Sequence, residues 1–211
     1  MSEPQPPDEQ QPPPPVSAYA RVEPPRPHPV GLVLDDDLRR SRLTVFFRPI
    51  LAIPHLFWLT LWKYAAVVVT FINWFLVLFS GRMPEDLHTF VSRFVRYQCH
   101  VSAYLTFLAN PYPPFFGREG SYPVDLVVPP RETQRRVITF FRLILAIPAF
   151  ILAYVFSMVT LVVAVIGWFV CLFIGRMPKG MRDLLAYCRR YRSQTDAYVY
   201  LLTDRYPSLS G

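Results

Sequence analysis

The sequence predicts a mainly α-helical integral membrane protein built from two tandem repeats, each a long or hairpin membrane helix block followed by an amphipathic interfacial helix, with a short strand before each repeat. Three observations carry this. Apolar residues concentrate in two blocks, 46–79 and 140–174, each far longer than the roughly 18 residues that mark a spanning segment. Their only strongly basic or imidazole side chains are Arg48, His55 and Lys63 in the first and Arg142 in the second, and neither contains Asp or Glu. Sliding the chain against itself by 94 residues aligns 31 identities over 85 positions without a gap. Shared hydrophobicity alone does not place Pro, Gly, Arg and Trp at one common offset.

The chain is 211 residues long, 52% hydrophobic, with a formal net charge of +7. Two such apolar blocks leave too little other material to wrap them in a soluble core. Basic residues cluster beside the blocks, among them Arg39, Arg40, Arg42, Arg82, Arg93, Arg96, Arg176, Arg182, Arg189, Arg190 and Arg192. Such flanks suit anionic lipid headgroups. A nucleic-acid partner is not expected, because no binding motif or basic stripe stands outside the apolar context.

Taken in order, residues 1–28 form a Pro-rich tail with a four-proline run ending at Pro15, too polar to bury a core and expected to be disordered. Repeat 1 spans 29–113, a linker 114–122, repeat 2 spans 123–207, and 208–211 is a short tail. Pro29-Val30 with Leu32-Val33 recurs as Pro123-Val124 with Leu126-Val127, read as a strand opening each repeat. Two such strands can pair.

Each apolar block is too long for one perpendicular span: the 38 residues from Leu43 to Ser80 would make a helix of roughly 57 Å against a hydrocarbon core of about 30 Å. Either the segment through Pro54 lies at the interface and the rest crosses once, or the block folds into a hairpin turning near Lys63. The hairpin is favoured. It places Lys63 at the far interface with Trp58, Trp62 and Tyr64 as an aromatic belt, and it leaves basic flanks on one, cytoplasmic, side together with the N-terminal tail.

Gly81-Arg82-Met83-Pro84 and Gly175-Arg176-Met177-Pro178 punctuate both repeats, glycine ending one helix and proline opening the next. After them, Leu87, Phe90, Val91, Phe94 and Val95 recur at helical spacing among arginines, as expected of an amphipathic helix at the interface. Lys179 onward repeats the design with more arginine.

The motif Phe-Phe-Arg-x-Ile-Leu-Ala-Ile-Pro at 46–54 and 140–148, and Trp-Phe followed by Gly-Arg-Met-Pro in both repeats, resemble the bacterial membrane family of domain of unknown function 4389, here in tandem duplicate. So do Tyr112-Pro113-Pro114-Phe115 and the ending 197–207. The resemblance covers about residues 29–207. It implies a multi-pass protein of a bacterial plasma (inner) membrane and supplies no activity, cofactor or catalytic residue.

No enzyme activity, cofactor or metal site is expected. His88 beside Glu85 and Asp86 is the one compact His/carboxylate group, and the second repeat puts Arg182 in the histidine's place. Cys99, Cys171 and Cys188 lack ligand spacing and read as reduced thiols. The residues most apt to contact lipid or a partner are the repeated arginines Arg48, Arg82 and Arg96 with their counterparts Arg142, Arg176 and Arg190. Arg48 and Arg142, at the edge of the apolar blocks, either mark a ligand path or serve structure by snorkelling or capping. The expected role is a non-enzymatic membrane scaffold or accessory subunit with a basic lipid-facing surface, in contact with anionic membrane lipids and a membrane protein partner or a second copy. The alternative is a small transporter or lipid-handling protein.

Overall fold

A computed structural model of the chain describes residues 28–35, 38 and 40–209. Nearly all of the Pro-rich tail, and Arg39, lie outside the described residues. The described elements run β1 (Gly31–Leu34), α1 (Arg42–Ser80), α2 (Glu85–Leu105), β2 (Val124–Val127), α3 (Arg136–Ile174) and α4 (Lys179–Val199).

The hairpin expected within each apolar block is not formed. Both α1 and α3 are single helices of 39 residues, and α1 runs straight through Lys63 and the surrounding aromatic residues. The physical reason is local. Nothing near Lys63 or Ser157 breaks a helix: neither site has Gly or Pro, and Thr60 and Ser157 return their hydroxyls to the carbonyls of Leu56 and Ala153 at 2.7 Å. Pro49 and Pro54 are tolerated inside α1. Proline at 49 removes the N–H that would bond the Val45 carbonyl, and that carbonyl instead accepts the Trp168 indole N–H at 3.1 Å. The helices stop where expected: Gly81 and Gly175 sit in the left-handed region at φ 77 and 74 and close onto Val77 and Cys171.

Each long helix buries a narrow stripe and exposes the rest. On α1 the buried positions are Val45, Arg48, Ala52, His55, Ala66, Asn73 and Val77. On α3 they are Thr139, Arg142, Ala146, Ala149, Ala153, Gly167 and Cys171. Spacing of three and four turns this stripe toward one side. The buried side chains are mostly small or polar, while the Leu, Ile, Phe and Val residues point outward; Phe57, Phe79, Leu143 and Phe173 are each at least 70% exposed. This is the reverse of a soluble core. Both helices are long and apolar enough to cross a membrane.

The two repeats are related by a pseudo-two-fold axis. Trp74 donates to the Thr139 carbonyl at 2.8 Å and Trp168, its counterpart 94 residues on, donates to Val45. Gln134 N–H meets the Gly81 carbonyl, and Arg40 N–H meets that of Gly175, both at 2.9 Å. The N-terminus of each long helix therefore lies at the C-terminus of the other, and α1 and α3 are antiparallel. The strands pair antiparallel with Leu32 opposite Leu126, residues equivalent in the repeat, so the axis passes through that pair.

Three tiers stack along the axis. α1 and α3 pack side by side; α2 packs on α1, α4 on α3, and α2 on α4; β1 and β2 rest on α4 and α2. The apolar stripes of α2 and α4, expected at a lipid interface, instead face protein: Val91, Phe94, Val95 and Cys99 join Ala66, Ala197 and Leu202 in one buried cluster. Trp62, expected in an interfacial belt, is half-buried against Phe90, Phe94 and Tyr97. An amphipathic helix beside a second helix with a matching face buries more apolar surface by packing than by lying alone on lipid.

Candidate functional site

The best-defined polar constellation is the pair of arginine stations on the buried stripes. Arg48 reaches the C-terminal end of α2, where its Nη1 donates to the carbonyls of Tyr104 at 2.7 Å and Ala109 at 3.1 Å and its Nη2 to Asn110. Arg142 repeats this on α4, donating to the carbonyls of Tyr198 and Thr203 (3.0 Å) and to Gln134 Oε1 at 2.8 Å. Both guanidiniums lie over the ring of the tyrosine whose carbonyl they bind, Tyr104 at 4.3 Å and Tyr198 at 4.7 Å. A helix C-terminus presents unsatisfied carbonyls and the negative end of the macrodipole, so a cation is well placed there. The stations are supported by Arg40, whose Nη2 donates to Phe107 at 2.8 Å and to Leu108, and by its repeat counterpart Gln134, which donates to the Leu201 carbonyl. Arg48 and Arg142 are 1% and 2% exposed. Within the chain they bind main-chain carbonyls and the amide oxygens of Asn110 and Gln134.

The other nominated arginines divide. Arg96 is also buried; its Nε donates to the Leu126 carbonyl at 3.2 Å and it pairs with Asp125 at 3.3 Å and Glu119 at 3.4 Å. Arg190 is half-buried, its guanidinium 5.2 Å from the Tyr187 ring. Arg82 and Arg176 are exposed. Arg82 donates to Thr133 at 2.7 Å.

Sequence reasoning missed a second cluster, beneath the strand pair. Asp125 of β2 accepts from His100 Nε2 at 2.9 Å and from the N–H groups of Gly120 and Leu126 at 2.6 and 2.7 Å. Burial alone would raise the Asp125 carboxyl, but these donors together hold it below its ordinary value. The loop before β2 is fixed at Gly117, where φ is +50 and an added Cβ would lie 2.2 Å from the Arg93 carbonyl. No signal in one sequence joins His100 to Asp125, since in the other repeat their places hold Gln194 and Gly31.

A third feature belongs to the first repeat alone. His55 is fully buried, with Nδ1 2.7 Å from the Tyr97 hydroxyl and its ring 4.4 Å from both Phe115 and Tyr112. Burial raises the Tyr97 phenol, so the phenol stays protonated and donates. Ala149 occupies the equivalent position.

These arrangements fix chain to chain. The Asp125 carboxylate accepts from His100, Gly120 and Leu126 and pairs with Arg96. Among the described residues no group of three or more His, Cys, Asp or Glu is placed to hold a metal. The three thiols are buried, and burial raises those of Cys99 and Cys188 above the ordinary range. His88, Glu85 and Asp86 lie in the first turn of α2, and His88 lines a surface crevice with Arg93, Arg118 and Glu119.

A family model described as Domain of unknown function (DUF4389) matches residues 42–117 and, a second time, residues 136–210. No curated protein and no solved structure matches the chain.

Proposed function

The chain belongs to the DUF4389 family, carrying two tandem copies of its domain, and from that premise we propose that it is a non-enzymatic, membrane-embedded scaffold or accessory subunit. The observation that carries this reading is the inverted polarity of α1 and α3. Their outward faces are largely apolar along 39 residues each, while Arg48 and Arg142 turn inward onto main-chain carbonyls. A surface of that kind is stable when lipid or another membrane protein covers it. Arg48, His55 and Arg142 on the same helices hold α2 and α4 and the turns after them, which makes the second and third tiers a platform fixed to the first. Exposed arginines at the helix ends, Arg82 and Arg176, suit anionic headgroups.

A second reading, lipid handling, is favoured by one feature. An apolar groove of about 340 Å³ opens between α1, α3 and the end of α4, lined by Val67, Phe71, Trp74, Leu143 and Leu201. Such a groove suits a hydrocarbon chain.

In-membrane cross-linking followed by mass spectrometry separates the two. A protein partner recovered in fixed stoichiometry supports the subunit, whereas co-purifying lipid displaced by Val67→Trp and no partner supports lipid handling. Release of the chain from membranes by alkaline carbonate would overturn both.

A further inference from the structure

Resting on the membrane-embedded reading above, we infer that α1 and α3 lie in the plane of a single leaflet, with their outward face in the acyl chains, and that the chain is monotopic. This replaces the multi-pass arrangement expected from the sequence.

The stacking order leads to this conclusion. The large exposed apolar side chains lie overwhelmingly on α1 and α3. The strand tier and its loop expose charge: Glu119 is 81% exposed, and Arg118 and Ser121 are exposed beside it. The middle tier exposes Glu85, Asp86, Thr89 and Arg93 from α2. The pseudo-two-fold axis runs through the Leu32–Leu126 pair and crosses the long helices midway, since Trp74 meets Thr139 and Val45 meets Trp168. The charged tiers are therefore centred over the middle of α1 and α3, not over their ends.

Setting α1 and α3 upright would thus place Glu119, Arg118 and Arg93 at the depth of the bilayer centre, facing lipid. Ionised groups at that depth are strongly disfavoured unless they pair or reach an interface. Lying flat removes the conflict. A helix is about 10 Å thick and a leaflet's hydrocarbon about 15 Å, so the pair fits within one leaflet, and the tiers above it stand in headgroups and water. The length of about 58 Å, nearly twice the hydrocarbon thickness, then needs no tilt or protrusion.

The charge at the ends agrees. One end of the helix pair carries Arg42 and Arg176, the other Arg82, Arg135 and Arg136, all exposed. A crossing protein biases basic residues to one side; here both ends are basic, as expected when both meet headgroups of the same leaflet. Lys63, near the midpoint of α1, lines a crevice with Asp196 and Tyr200 of α4, on the flank that faces the upper tiers.

The test uses the full chain reconstituted into vesicles containing anionic phosphatidylglycerol. Arg82 and Arg176 end α1 and α3 respectively and so sit at opposite ends of the antiparallel pair. In the double variant Arg82→Cys/Arg176→Cys, a membrane-impermeant maleimide followed by intact mass spectrometry should give molecules with two labels or none, while the buried native thiols set the background. A population carrying one label each would overturn the inference, whichever way the molecules insert. A second readout does not depend on those variants. Spin labels at Ile50, Phe57 and Phe71 along α1 should report one common depth, and a depth that passes through a maximum along the helix would mean crossing. If the chain fails to float with the vesicles, the membrane-embedded reading itself fails; if it floats but gives single labels, only the monotopic inference does.

Discussion

Replacing Arg142 by Met should unfold the protein at a markedly lower temperature without touching any exposed surface. Arg142 is 2% exposed and donates to the carbonyls of Tyr198 and Thr203 and to Gln134, with its guanidinium over the Tyr198 ring. Each hydrogen bond from a charged group contributes roughly 1.5–3 kcal/mol net, and the ring contact about 1 kcal/mol more. Against this stands the cost of burying the guanidinium, which the methionine relieves. The Thr203 carbonyl and the Gln134 amide oxygen would lose their donor inside the protein, so the balance should be a loss of about 3–5 kcal/mol. For a chain of this size each kcal/mol moves the midpoint about 2–4 °C, so the expected fall is about 10 °C. Thermal unfolding in detergent micelles, followed by far-UV circular dichroism, reads it directly. Arg48→Met should lose a similar amount, and Arg142→Lys should fall between, since an ammonium cannot fork to two carbonyls. Arg82→Ala, on an exposed side chain, should stay within about 0.5 kcal/mol. If Arg142→Met melted with the parent, the capping role would be refuted and the side chain would again be available to a ligand.

Three further outcomes follow from other parts of the structure. Gly117→Ala would push a Cβ to 2.2 Å from the Arg93 carbonyl at a positive φ, whereas Gly120→Ala, at φ +68, meets nothing within 4 Å. The first should cost about 3 kcal/mol and the second about 1 kcal/mol in the same melting assay, and equal losses would contradict the packing described. Asp125 has a carboxyl held below its model value of 3.8, so it contributes stability fully above about pH 4, lost as pH falls through the folded value. Asp125→Asn should therefore flatten the acid limb of stability below pH 4 while lowering the plateau at neutral pH; an unchanged acid limb would assign that limb to other carboxylates. Trp74→Phe and Trp168→Phe each remove one indole hydrogen bond to the opposite helix. Each should cost about 1 kcal/mol, measured by denaturant unfolding; a loss at only one site would show that the pseudo-symmetric contacts are not equivalent in strength.

The parts of this fold that sequence could reveal are those written into the backbone or into the repeat. The Gly-Arg-Met-Pro turns mark helix ends because only glycine takes a left-handed φ cheaply and proline suits a helix start. The 94-residue offset foreshadows every symmetric contact. Arg48 and Tyr104 are separated by 56 residues, as are Arg142 and Tyr198, and both pairs are identities of the repeat. What stayed hidden is the direction of each face. An apolar stripe on α2 is the same whether it meets lipid or Ala66 and Leu202, and a helix of α1's composition can in principle bend at Lys63 or run through it. Long-range packing decides both, and helical periodicity holds no information about it. The arginines carry the same ambiguity: a cation among apolar residues signals a partner without saying whether that partner is a headgroup or a carbonyl 56 residues away.

Comparing the two repeats position by position separates what the architecture requires from what only one half contains. Arg48 and Arg142, Trp74 and Trp168, and the two Gly-Arg-Met-Pro turns are identical, and each makes the same contact twice. Their roles are architectural, since a pseudo-two-fold contact is duplicated wherever the fold depends on it. Among the many positions that differ, two histidine clusters lie in one region. His55 with its cage of Tyr97, Tyr112 and Phe115 faces Ala149 in the other half, and His100 with Asp125 faces Gln194 and Gly31. Both clusters meet on α2: Tyr97 of α2 binds His55 of α1, and three residues on, His100 of α2 binds Asp125 of β2. With the caps kept in both halves, these clusters break the symmetry on the first repeat's α2 and the 112–125 loop packed on it. That helix and that loop offer a partner one way to recognise a single orientation of this near-symmetric platform. Substitution of Phe115 or Glu119, which border them on the exposed side, should therefore weaken partner cross-linking more than substitution of Leu209, the second repeat's counterpart of Phe115. Equal effects at Phe115 and Leu209 would mean that the partner reads the symmetric surface instead.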